Sequence, residues 1–268
     1  MLFLLNICHS LTSLDLTNFN TENINSMYSF FQGCSSLESL DLSNFNTNLV
    51  NNMHSMFKNC KNLKSINLSG KFTTKSVNDM SSIFEGCSKL ESIDLSHFNT
   101  TKIIDTINMF LGCESLIEID LSNFNTKEVT SMASMFENCN HLKLIKFFEL
   151  NTKKVRYMDS MFKGCSSLTS INISSFDTKE VRNMKSMFSD CSSLKTIDVS
   201  NFITNKTIDM SFMFHNCKSL QKLKTSNFDT SNVINMRSMF ENCRNLNNIE
   251  LMNFKTSEVI SMENMFRD

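Results

Sequence analysis

A metronome of cysteines runs the length of this chain. Cys8, Cys34, Cys60, Cys87, Cys113, Cys139, Cys165, Cys191, Cys217 and Cys243 are spaced 26 residues apart, with one interval of 27 between Cys60 and Cys87. Self-similarity at a period of 20–50 residues marks a repeat architecture, in which each unit buries its apolar face against its neighbours. The additional residue falls at Gly70-Lys71, a natural place for an insertion in a loop.

One unit reads Cys113-Glu-Ser-Leu116-Ile-Glu-Ile119-Asp120-Leu121-Ser122-Asn123-Phe124-Asn125-Thr126-Lys-Glu-Val129-Thr-Ser-Met132-Ala-Ser-Met135-Phe136-Glu-Asn138. The unit pattern absorbs the unusual composition. Of 19 Met, 18 stand in two columns, with only Met252 outside them, and 19 of 24 Phe stand in two others. Thr fills one position in all ten units, from Thr21 to Thr256. Met1 and Leu4-Leu5 continue the Met and Met-Phe columns. The apolar start is therefore read as the tail of a repeat, not as a signal peptide. The 1–268 stretch is expected to be a single solenoid domain that begins and ends inside a repeat, a piece of a longer array.

Two periodicities divide each unit. Leu116, Ile119 and Leu121 follow the L-x-x-L-x-L pattern of a leucine-rich-repeat strand, with Asp120 pointing outward. Val129, Met132, Met135 and Phe136 fall at i, i+3, i+6 and i+7, which predicts a short helix. The residue before each cysteine is Gly, Asn or Asp, except Ile7. These types tolerate positive φ, so the column predicts a left-handed residue closing that helix. The Thr column is either a helix N-cap or a hydroxyl link from rung to rung. Strands at about 4.8 Å against helices at roughly 8–10 Å would bend the stack. The expected fold is thus an α/β solenoid: a leucine-rich-repeat-like curved stack of about ten 26-residue units, with a parallel β-sheet on the concave side and short helices on the convex side.

The same motif, in stretches such as Met187-Phe188…Cys191-Ser-Ser-Leu194-Lys-Thr-Ile197-Asp198 and Leu40-Asp41-Leu42-Ser43-Asn44-Phe45, closely resembles the BspA-type leucine-rich repeat. The resemblance covers essentially the whole chain. It implies a surface or secreted protein of the kind found in host-associated bacteria and some parasitic protists, acting in adhesion and host-protein binding.

Charge and chemistry narrow the function. With 26 basic and 27 acidic residues, the net charge of −1 offers no global case for nucleic acid or anionic membrane. No apolar run approaches the 18 or so residues of a membrane span. One cysteine per turn at constant phase suits a reduced, buried ladder better than metal or disulfide clustering. The five histidines fall at five different phases and are read as solvent-facing. The Met columns are read as core. No cofactor or metal is expected, and no enzymatic activity: catalysis needs unlike groups converging, whereas these columns repeat like residues.

The outward strand position runs Asp15, Asp41, Asn67, Asp94, Asp120, Lys146, Asn172, Asp198, Lys224, Glu250. It reads either as a solvated face or as a cation site between Asp94 and Asp120. Repeat six breaks the pattern most, with Leu144-Ile-Lys146-Phe147-Phe148-Glu149-Leu150. An exposed stripe of Leu144, Lys146 and Phe148, flanked by Glu118, Asp120 and Asn172, is the candidate binding site. The alternative is that Phe148 folds back into space left by Leu150. The expected function is a non-catalytic module binding a protein or glycan, including host-derived ones, through its concave face. The alternative is a structural segment that self-associates end to end through uncapped ends.

Overall fold

The computed structural model describes residues 7–147 and 150–268. Its strands are β1 (Ser39–Asp41), β2 (Ser65–Asn67), β3 (Glu118–Asp120), β4 (Leu144–Lys146), β5 (Thr196–Asp198) and β6 (Lys222–Lys224). All pairing is parallel and one repeat out of step: Ile119 faces Ile145, and Ile197 faces Leu223. The central residue of each strand points inward and its two neighbours point out, as the alternation predicts. The strand face is not one continuous sheet. It consists of three two-stranded pieces, β1-β2, β3-β4 and β5-β6.

The convex helices are not there: among the described residues there is no helix. The V-x-x-M-x-x-M-F segment instead forms a second inter-rung ladder. Parallel bridges run without interruption from Ser26 through Asn52, Asp79, Asp105 and Ser131 to Ser261. Within one unit the N–H groups of Met132, Ser134, Phe136 and Asn138 donate to carbonyls of Tyr157, Asp159, Met161 and Lys163, one rung on. The N–H groups that follow, on Met135, Glu137 and Cys139, turn back to the third residue before. Each unit carries two left-handed residues four apart, such as Ser134 (φ 53°) and Asn138 (φ 61°). A run of right-handed helix cannot include them. Three-residue turns return Met132, Met135 and Phe136 to the same buried side, so the helical spacing is met without a helix. With strand-like rungs on both sides, the spacing mismatch that was to bend the stack around its strands is gone.

The core is one column system. Phe31, Phe57, Phe84 and their successors stack face to face, ring centroids 5.4–5.8 Å apart, up to Phe240 on Phe266. The Met columns are buried beside them, and Met252 stands 96% exposed. The thiol of Cys139 donates to the Phe110 carbonyl of the rung before (3.2 Å), and every cysteine from Cys60 to Cys243 repeats that bond. These eight are unbridged. The Thr column proves to be a rung-to-rung link. Thr152 donates its hydroxyl to the Asp177 carbonyl (2.9 Å) and accepts the Asp177 N–H (2.7 Å).

Candidate functional site

The stripe singled out in repeat six lies on β4, and β3 lies beside it. The register sets Glu118 against Leu144 and Asp120 against Lys146, with Ile119 and Ile145 buried beneath. Leu144 is 44% exposed. Ile117, one residue before β3, is equally exposed, and its carbonyl accepts the Lys143 N–H at 2.8 Å. Two aliphatic side chains thus stand in solvent on adjoining rungs, where other units carry Thr, Ser, Glu, Lys, Gln or Asn. The reading of the sequence missed Ile117. The signal was present, since it is the one apolar residue in its column.

The Lys146 ammonium lies 3.8 Å from Asp120 Oδ2, both side chains about half exposed. Asp120 is held below the ordinary carboxylate range chiefly by the Ser122 hydroxyl and N–H, with Lys146 adding least. A matching pair, Lys224 and Asp198 at 2.6 Å, joins β5 and β6, and the Lys224 and Ser200 hydrogen bonds bring Asp198 to about 2. A cation beside an aspartate is therefore not peculiar to repeat six; the Ile117–Leu144 pair is.

The remaining residues of the stripe do not gather around it. Asn172 is exposed on the next rung, but its segment forms no strand with β4, and its side-chain oxygen accepts the N–H and hydroxyl of Ser174. Phe148 and Glu149 lie outside the described residues. Phe147, partly buried, meets Phe176 edge-on at 5.7 Å, and Leu150, which stands in the Phe column one rung before Phe176, is buried.

The outward aspartates have a local task. Asp94 and Asp120 accept N–H bonds from Ser96 and Ser122 at 2.9 Å, as Asp41 does from Ser43. Such Asx turns end β1, β2, β3 and β5, at Asp41, Asn67, Asp120 and Asp198. No group of three metal-binding side chains occurs among the described residues. Of the histidines, His9, His97 and His141 are exposed, as expected. His54 and His215 are only half so. His54 stacks on Tyr28 (5.2 Å) and lies 2.6 Å from the Ser81 hydroxyl and 3.8 Å from Asp79. The Ser81 hydroxyl is also within hydrogen-bond distance of Asp79, so the three side chains form one local polar cluster.

Residues 1–70, 64–147, 145–226 and 196–268, which together span the chain, match one family, described as "Mycoplasma protein of unknown function, DUF285". The chain belongs to the DUF285 family. No curated protein matches this DUF285 chain. Solved structures similar to it include a leucine-rich repeat protein from Bacteroides ovatus (20% identity, 82% of this chain and 68% of that one, TM-score 0.34). Others are a leucine-rich repeat protein from Eubacterium ventriosum (15%, 86% and 82%, TM-score 0.40) and a leucine-rich cell surface protein from Faecalibacterium prausnitzii (18%, 83% and 75%, TM-score 0.29).

Proposed function

We propose that this DUF285 array is a non-catalytic binding module that offers the strand face of repeats five and six to a protein or glycan, including host-derived ones, at a cell surface or after secretion. The observation that carries the reading is the exposed Ile117–Leu144 pair, set between Glu118, Asp120, Lys143 and Lys146 on a face that is otherwise polar. Apolar side chains ringed by charge are the usual composition of a contact site. Asn172, exposed on the next rung, belongs to the proposed margin of that site.

The test restores the repeat's own pattern. Ile117→Thr, Leu144→Ser and Lys146→Asp together should weaken binding to any partner captured on an array of matrix proteins and glycans by at least tenfold, about 1.4 kcal/mol. Thermal stability should stay within a few degrees. Unchanged affinity removes this face as the site.

A further inference from the structure

The chain's near-zero net charge conceals a segregated basic ridge. It is built from the T-K-x-V-x turn of repeats five to seven and the corresponding Thr204-Asn205-Lys206-Thr207-Ile208 turn of repeat eight, on a different edge from the strand face. Each turn sets its side chains in columns one rung apart. Lys127, Lys153 and Lys179 share one column, Lys154 and Lys206 the next, and Arg156 and Arg182 a third. Adjacent rungs are tied through the backbone, Arg156 N–H to the Thr130 carbonyl and Arg182 N–H to the Arg156 carbonyl, both 2.8 Å. All seven cations are exposed.

Only two carboxylates sit among them. Glu128 takes Lys154 (2.5 Å) and Glu180 takes Lys206 (2.6 Å). The other five cations form no ion pair among the described residues. Four rungs at about 4.8 Å place the whole set along about 14 Å of the axis. That length is comparable with the Debye length of about 8–10 Å at 0.1–0.15 M salt, so the cations act as one field.

We propose that this ridge binds a linear acidic polysaccharide, sulfated or carboxylated, lying along the stack. The shape selects the class. The field is a line, bounded by Asp177 on one side of the turn and by Asp159 and Asp209 on the other. A narrow anionic chain can run along such a line, whereas a planar anionic membrane engages a broad charged face. Arg156 and Arg182 present planar forks suited to sulfate or carboxylate. Single-stranded nucleic acid is ordinarily held by a succession of aromatic platforms, and beside these columns there is one exposed ring, Tyr157.

Heparin is the probe, titrated against the whole chain at low and physiological salt. Wild type should bind with a steep loss of affinity as salt rises. The variant K153Q/R156Q/K179Q/R182Q, which orphans no ion-pair partner, should bind at least tenfold more weakly and with a shallower salt dependence. The control K61Q/K195Q/K218Q/K222Q removes the same charge elsewhere and should bind as wild type does. If the fourfold variant melts early, K153Q/K179Q reads the same result at an expected loss of about threefold. No binding by wild type at low salt overturns the proposal, and so does an equal loss in variant and control. Tighter ridge-dependent binding to oligo-dT or to phosphatidylserine vesicles than to heparin also overturns it.

Discussion

Backbone conformation at single residues decides how each turn closes. The position before every cysteine has φ between 58° and 76°, including Ile7 at 65°. At Gly164 an added Cβ would lie 2.5 Å from Asn138 Oδ1, whereas at Gly112 the nearest atom is 3.6 Å away. Gly164→Val should therefore cost at least about 2 kcal/mol, left-handed strain plus collision, and Gly112→Asn less than about 1 kcal/mol. Urea denaturation of both variants measures the difference; equal midpoints would contradict it. This column was legible because Gly, Asn and Asp announce positive φ. Its companion, five residues before each cysteine, was not. It holds Ser134, Ser160 and, once, Phe212 at 59°. Serine is an ordinary surface residue, so its left-handed use there carries no signal of its own.

At the level of the element, the buried pattern was readable and the backbone beneath it was not. Apolar spacing of three and four reports which side chains share a side, and both a helix and a chain of three-residue turns satisfy it. What separates them is where the N–H groups go, and here alternate groups go to the next rung. The far-ultraviolet circular dichroism should accordingly lack the paired minima of helix; a spectrum with a substantial helical component would refute the ladder. The strand register, and with it the facing of Glu118 on Leu144 and Asp120 on Lys146, was legible from the two-residue alternation. Ile117 was overlooked because attention rested on the broken motif of repeat six, not on its neighbour. The Thr column tests the ladder from another direction. Thr152→Val leaves both the N–H and the carbonyl of Asp177 without their partner, and should cost about 2 kcal/mol. Thr152→Ser, which keeps the hydroxyl, should cost clearly less in the same denaturation assay.

Across the whole molecule, the thiol column makes stability depend on alkali. Burial pushes Cys34 up to about 11 and Cys165 and Cys243 up to about 12, from an ordinary value of 9.0. Cys87, Cys139, Cys191 and Cys217 are raised further by the same cause. In the unfolded chain these thiols lose their protons from about pH 9, while the folded chain keeps them. Their contribution is therefore complete below pH 9 and falls as pH rises toward 12, by up to roughly 1.4 kcal/mol per pH unit for each thiol. Denaturation midpoints should be flat from pH 7 to about 8.5 and drop steeply above 9. Cys165→Ala should make that drop shallower. A midpoint that ignores pH up to 11 would show the thiols to be solvated.

Every rung joins the next through the same three attachments, a Thr hydroxyl, a Phe ring and a Cys thiol, and each attachment reaches one repeat forward or back. A gene for such a chain can gain or lose a 26-codon block anywhere along its length and still encode a closed interface at the join. The 27-residue unit, whose added residue is taken up at Gly70 with φ 73°, shows that one extra residue is accommodated without breaking the ladder. Unequal recombination between repeats therefore becomes a source of surface variety that leaves the fold alone. It lengthens or shortens the outward columns, and whatever they hold, in steps of one rung.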